Sequence, residues 1–215
     1  MSAQRILLVD DHPIVRTGYQ KLIEQAGDLE VCGHADDLLS AMAVIRECHP
    51  HLVVLDISIR SGSGLELVKE ITAQKIDTKV LVCSMHEETL YAERALRAGA
   101  RGYINKEQAT ENITQAIRTV LEGELYLSPQ MTQRLLTRAA GGFDASADPV
   151  ATLSDRELEV FELIGRGHTT KAIAEKLELS RKTIETHREH IKAKLDAKTS
   201  AELNREAVKW VMETF

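Results

Sequence analysis

The feature that most constrains this chain is a series of short, wholly apolar runs separated by stretches of helical periodicity. Ile6-Leu7-Leu8-Val9, Leu52-Val53-Val54-Leu55 and Val80-Leu81-Val82-Cys83 each last four residues, with weaker runs at Leu29–Cys32 and Gly102-Tyr103-Ile104. Runs this short and this apolar suit strands covered on both faces, as in a parallel sheet. Between them, Ile14–Ala26, Leu38–Cys48, Leu65–Gln74, Thr89–Ala98 and Ile113–Leu121 carry apolar residues at helical spacing. Five strands alternating with five helices predict an α/β unit, a (βα)5 doubly wound parallel sheet. Gly27, Gly99 and Gly123 fall where helices should end.

The pattern changes after residue 125. Helix resumes near Pro129–Ala139, and Ala140–Ala151 (AGGFDASADPVA) reads as a linker with almost no apolar periodicity. From Leu153 the periodicity is purely helical. Ser154 with Glu157 is a capping box. Helices are predicted near 154–165, 169–177, 180–195 and 199–213, with Thr169 or Thr170, Ser180 and Thr199 or Ser200 as N-caps. The expected organisation is an α/β domain over 4–125, a linker with a helix over 126–151, and an all-α four-helix helix-turn-helix domain over 152–215.

Composition narrows the function. No stretch approaches 18 consecutive apolar residues, so no membrane span is expected. No secretory signal is read at the N-terminus, and Cys32, Cys48 and Cys83 form no metal-ligand pattern, so a cytoplasmic setting is expected. Charge is distributed unevenly. Residues 1–128 hold 13 basic against 19 acidic residues, whereas residues 166–198 hold 9 basic against 5 acidic. An acidic half and a locally basic one suggest a cation site in the first and an anionic partner for the second.

Open α/β sheets bind ligands beyond the carboxyl ends of their strands. Asp10 and Asp11 end the first predicted strand, Asp56 the third, Ser84 follows the fourth and Lys106 the fifth. Carboxylates gathered at one mouth repel unless a cation joins them, and Mg²⁺ suits an oxygen-rich site of this kind. A hydroxyl and an ammonium on the same rim could neutralise a phosphoryl group carried by an aspartate.

These residues resemble a response-regulator receiver domain over about residues 4–125. The resemblance rests on Leu7-Leu8-Val9-Asp10-Asp11-His12, Val54-Leu55-Asp56, Ser84 and Lys106. It implies that Asp56 is the phosphoacceptor and that Asp10, Asp11, Asp56 and the backbone carbonyl of Ser58 hold Mg²⁺. It further implies that Ser84 and Lys106 contact the phosphoryl group, that Ser84 and Tyr103 form the switch, and that Ser58 and His86 occupy positions that tune hydrolysis. Gly64 matches the family's glycine, but Ile59-Arg60 stands where receivers often carry Met-Pro. That departure bears on the lifetime of the phosphoryl group.

In the helical part, Thr169–Leu177, a turn Glu178-Leu179-Ser180 and Arg181–Leu195 suggest helix-turn-helix. Ile184, Ile191 and Leu195 share one helical face, leaving a polar face that could enter a major groove. The stretch resembles the LuxR-type DNA-binding domain over about 152–212, carried by Leu153-Ser154-Asp155-Arg156-Glu157, Gly167, Lys171, Ile173-Ala174, Leu177, Ser180, Lys182-Thr183-Ile184, His187 and Lys194-Leu195. By that likeness Glu185, Thr186 and Glu189 face bases, while Lys171, Ser180, Lys182, Thr183, His187, Arg188, Lys192 and Lys194 are candidate phosphate contacts. The last helix, with Trp210, either packs within the module or serves a dimer.

Receiver plus LuxR-type module is the NarL/FixJ class of two-component transcription factors. The resemblance implies a sensor histidine kinase as partner, double-stranded DNA with inverted-repeat sites, and a homodimer on phosphorylation through about 13–26 and 109–121. A regulator controlled by protein contacts, independently of phosphorylation, is the alternative. An enzyme is not expected: an aspartyl-phosphate hydrolase needs a second acid near the nucleophile, and position 58 is Ser. The remaining alternative for the helical module is a protein partner in place of DNA.

Overall fold

A computed structural model describes residues 3–59, 62–140 and 149–214, and the chain forms two compact units, Met1–Ala140 and Gly141–Phe215. In the first, β1 (Gln4–Val9), β2 (Leu29–Ala35), β3 (Leu52–Leu55), β6 (Lys79–Ser84) and β7 (Gly102–Asn105) form a parallel sheet in the order β2-β1-β3-β6-β7. The strand order reverses at β1, which pairs with both β2 and β3, so the doubly wound topology has its switch point there.

Helices cover both faces of the sheet. On one, Ile6, Leu8, Leu52, Val54 and Leu81 pack against Tyr19 and Ile23 of α1 (Pro13–Glu24) and Ile113, Ile117 and Val120 of α5 (Lys106–Leu121). Side chains alternate along a strand, so Leu7, Val53 and Val82 turn to the other face. There α2 (Leu38–Cys48), α3 (Gly64–Ala73) and α4 (Glu88–Ala98) contribute buried Ile45, Val68, Ile71, Ala92 and Ala95. Covering on both faces is why the strands read as unbroken apolar runs.

Three details depart from the periodicity reading. β2 runs on past Cys32 to Ala35, with a register shift opposite Ile6 and Leu7. α5 begins at Lys106, two turns before its first large apolar residue, because Asn105 Oδ1 accepts the Glu107 N–H at 2.9 Å. β4 (Ser58–Ile59) and β5 (Gly62–Ser63) form a small antiparallel pair that no alternation in the sequence announced. The family departure at Ile59-Arg60 lies only half in view, since Arg60 is outside the described residues. α6 (Pro129–Ala139) closes the first unit. It starts with Pro at its first position, and Ser128 Oγ accepts the Met131 N–H at 3.1 Å. Most of the expected linker, residues 141–148, is also outside the described residues.

The second unit holds a 3-10 turn (Pro149–Thr152), α7 (Asp155–Gly165), α8 (Thr170–Lys176), α9 (Arg181–Lys194) and α10 (Ser200–Thr214). Its helix starts are set by short polar side chains. Ser154 and Glu157 make both halves of the capping box, while Thr169, Ser180 and Thr199 accept the N–H groups of Ala172, Thr183 and Glu202. Between α8 and α9, Glu178 adopts a left-handed φ of 51°, and Leu179 N–H donates to the Ala174 carbonyl at 2.9 Å. Leu158, Phe161, Ile173, Ile184, Ile191, Leu203 and Ala207 form the core. No helix among the described residues is long and apolar enough to cross a membrane.

Candidate functional site

The strand ends bring the acidic residues together. Asp10 follows β1 and its N–H donates to the Ala35 carbonyl at 3.1 Å; Asp56 follows β3 and its N–H donates to the Val9 carbonyl at 2.8 Å. Adjacent parallel strands therefore fix both carboxylates at one mouth. Asp10 and Asp56 are 5% and 4% exposed. Lys106, the first residue of α5, places Nζ 2.6 Å from Asp10 Oδ2 and 2.7 Å from Asp56 Oδ2.

The electrostatics follow from burial. Burial raises the Asp56 pKa, Lys106 pulls it down and Asp10 pushes it back up, leaving the carboxyl above its ordinary value. Burial works to lower the Lys106 pKa, but the Asp56 and Asp10 carboxylates outweigh it and leave the ammonium more firmly protonated. One lysine is thus shared by two buried carboxylates, with Asp11 beside them. Asp56 Oδ1 is buried without a hydrogen-bond partner among the described residues, and Asp11 Oδ1 is buried beside the His12 ring, Nδ1 at 2.7 Å, in poor hydrogen-bond geometry. Ligand atoms of Asp10, Asp11, His12 and Asp56 lie within 4.8 Å of one another. Buried carboxylate oxygens left over after the lysine is counted fit a hard, oxygen-seeking divalent cation.

Two residues of this cluster carried no role in the sequence reading. His12 N–H donates to Asp10 Oδ1 at 2.8 Å, and the Arg16 guanidinium donates to the Asp10 carbonyl. Their signal is positional: His12 follows the Asp-Asp pair, and Arg16 lies one helical turn further on.

Ser84 is the last residue of β6 and is 1% exposed. Its hydroxyl pulls the pKa values of Asp56 and Tyr103 down against their burial, and it accepts the His86 N–H at 3.4 Å. The Tyr103 ring is buried and its hydroxyl donates to the His86 carbonyl at 2.7 Å. Burial first, then the Asp56 charge, pushes that phenol up. Ser58 Oγ and His86 Nε2 are 2.9 Å apart, so these two side chains touch. Asp10, Asp11, Asp56 and Lys106 thus meet at one mouth, and Ser58, Ser84, His86 and Tyr103 are linked on one side of it.

In the second unit the residues expected at DNA divide into groups. Lys171, Lys182, Glu185, Thr186 and Glu189 are exposed. Ser180 Oγ is occupied as the cap of α9, where it also bonds the Thr183 hydroxyl at 2.7 Å. Lys192 pairs with Glu189 at 2.8 Å, Arg188 donates to Asn204 Oδ1 at 3.0 Å, and Lys194 pairs with Glu157 at 2.6 Å. His187 is half-buried. Its Nδ1 has no partner among the described residues, and burial, then Arg156, lower its pKa. Arg188 and Lys194 therefore tie α9 to α10 and α7, while the outward positions of α8 and α9 present the polar face.

Known proteins match both units. Residues 6–118 match the response regulator receiver domain, and residues 151–207 match the bacterial regulatory proteins of the luxR family. The oxygen regulatory protein NreC of Staphylococcus carnosus is 39% identical over 210 residues, covering 95% of this chain and 97% of that protein. Its Staphylococcus epidermidis counterpart is 37% identical over 211 residues, with the same coverage. Among solved structures, a LuxR-family two-component response regulator from Aurantimonas sp. is 35% identical with a TM-score of 0.59, covering 65% of this chain and 99% of that one. Salmonella typhimurium RcsB is 25% identical with a TM-score of 0.65, covering 97% and 98%. RcsB bound to promoter rprA in the presence of the phosphomimetic BeF3⁻ gives a TM-score of 0.61 at 25% identity, covering 95% and 98%.

Proposed function

Because the chain belongs to the two-component response regulators that join a receiver domain to a LuxR-type DNA-binding domain, we propose that it is a transcription regulator switched by phosphoryl transfer to Asp56. The observation that carries this reading is the convergence of Asp10, Asp56 and Lys106 at 2.6 and 2.7 Å on the carboxyl ends of adjoining strands. Asp10, Asp11 and Asp56, with the Ser58 carbonyl, would hold Mg²⁺, which supplies positive charge to the transferring phosphoryl oxygens.

The residues of the chain do the rest. The Asp56 carboxylate attacks the phosphorus of a phosphohistidine on a sensor histidine kinase; the P–N bond breaks as the P–O bond forms. Lys106 exchanges one carboxylate partner for a phosphoryl oxygen. Ser84 donates its hydroxyl to another, and Tyr103, packed beside it, senses the change. The shift in population favours a homodimer whose two helix-turn-helix modules read an inverted repeat, with half-sites about one helical turn apart. Lys171 and Lys182 contact phosphates, and Glu185, Thr186 and Glu189 face base edges.

Intact mass after incubation with Mg²⁺ and acetyl phosphate tests the switch. One phosphoryl gain is expected in the parent and none in Asp56→Asn. No gain in the parent would overturn the reading in favour of a regulator controlled by protein contacts alone.

A further inference from the structure

The first unit does not end at α5. Tyr126 lies against the outer edge of β7, where its N–H donates to the Arg101 carbonyl at 3.1 Å and its carbonyl accepts the Tyr103 N–H at 2.8 Å. The approach is close. A Cβ on Gly102 would sit 3.0 Å from both the Tyr126 Cβ and its carbonyl oxygen. Two residues on, the Ser128 N–H donates to Glu88 Oε1 at 2.8 Å, and Met131 at the start of α6 is buried. The amino end of α6 is thus held by a carboxylate from the first turn of α4.

That same turn adjoins the acceptor pocket. Two residues before Glu88, His86 accepts the Tyr103 hydroxyl on its carbonyl, touches Ser58 with its ring, and donates its N–H to Ser84 Oγ at 3.4 Å. Tyr103 therefore bonds the arm with its backbone and the 84–88 segment with its side chain. The 84–88 segment in turn bonds the arm through Glu88. The contacts close a loop among Tyr103, the 84–88 segment beside the acceptor pocket and the start of α6.

We propose that residues 124–139 form a read-out arm whose docking is coupled to the acceptor pocket through Tyr103 and Glu88, so that a phosphoryl group on Asp56 and a docked arm stabilise each other. The inference rests on Asp56 being the acceptor. A buried Tyr103, a Ser84 hydroxyl that accepts the His86 N–H and a docked arm occur together in one structure. A ligand that draws Ser84 to Asp56 favours the segment geometry in which the His86 carbonyl and Glu88 reach their partners. The coupling is reciprocal, since each event biases the same two-state segment.

Hydrogen–deuterium exchange on the full chain, with and without beryllofluoride and Mg²⁺, tests this. In the parent, beryllofluoride should slow exchange over 128–139 on the order of five-fold, together with protection over 84–88. Glu88→Ala should exchange quickly over 128–139 in both conditions. Glu88→Gln keeps an acceptor oxygen for the Ser128 N–H and should restore the response. Protection over 84–88 with no slowing over 128–139 would overturn the coupling alone, as would a Glu88→Ala response equal to that of the parent. No protection over 84–88 in the parent would overturn the acceptor reading and the coupling with it.

Discussion

A Cβ added to Gly64 would overlap the backbone carbonyl of Asp56, and backbone cannot rotate away as a side-chain tip can. Gly64 N–H also donates to the Ile57 carbonyl at 2.6 Å, which ties the start of α3 to the segment after Asp56. Gly64→Ala should therefore cost on the order of 1–3 kcal/mol in a thermal melt, as overpacking does, and slow the acetyl phosphate mass gain. Glu157 is a second single residue with a large consequence. Its Oε2 accepts the Ser154 N–H at 2.7 Å and Lys194 Nζ at 2.6 Å. Burial raises its pKa, but Lys194 and Ser154 lower it further, so the carboxyl ends below its ordinary 4.5. The charge therefore stabilises the fold above about pH 4.5, and that contribution is lost as pH falls through the folded-state value. Lys194 is 38% exposed, so solvent screening limits the ion pair, and the cap carries most of the effect. Glu157→Ala should lower the stability of the second unit by about 1 kcal/mol at pH 7, a difference that shrinks as melts are taken at increasingly acid pH.

Among the elements, α7 and α10 cross at Gly165. A Cβ there would run into the Ala207 carbonyl and a methyl of Val211. Phe161 and Trp210 meet along the same contact, with ring centroids 5.5 Å apart. Gly165→Ala should push α10 outward at a cost on the order of 1–3 kcal/mol and change the emission of Trp210, the chain's one tryptophan. An unchanged emission spectrum and melting temperature would show that the crossing has more room than the structure gives it. The sheet shows how strand order makes a site out of separate elements. β1 and β3 are distant in sequence but adjacent in space, and the carbonyls of Val9 in β1 and Ala35 in β2 accept the N–H groups of Asp56 and Asp10 before any side-chain contact is made.

For the whole molecule, the first unit includes the arm through Ala140. A protein cut after residue 125 loses the Tyr126 bridge and buried Met131, whereas one cut after residue 140 keeps both. The shorter fragment should melt several degrees below the longer one, because burying one side chain of methionine's size contributes about 1.5–3 kcal/mol. Equal melting temperatures would show that the arm adds nothing to the receiver unit. The proposed DNA partner of the second unit would be drawn by charge at a distance. DNA binding by the full chain should weaken steeply with salt, and Lys182→Ala should reduce the slope by about one without changing sequence preference. Binding insensitive to salt would point to a protein partner for the helical module.

The alternating code of short apolar strands and amphipathic helices was enough to specify the doubly wound sheet, because strands covered on both faces have no polar side to show. The gathering of Asp10, Asp56 and Lys106 was legible as well: polar residues directly after apolar runs must collect at the carboxyl edge of a parallel sheet. Helix starts in the second unit were readable from Ser154, Thr169, Ser180 and Thr199, whose side chains cap locally whatever surrounds them. Periodicity could not tell which polar residues were already engaged. Arg188 and Lys194 look like DNA contacts in sequence, but Asn204 and Glu157 claim them from other helices. Nor could it place the arm. Tyr126, Ser128 and Glu88 are unremarkable in a row of letters, and they acquire meaning when β7 and α4 bring their backbone and carboxylate partners within hydrogen-bonding distance. Local composition decides which elements form and where they begin. Long-range packing decides which side chains meet, since that depends on strand order and helix placement that no short stretch of sequence encodes.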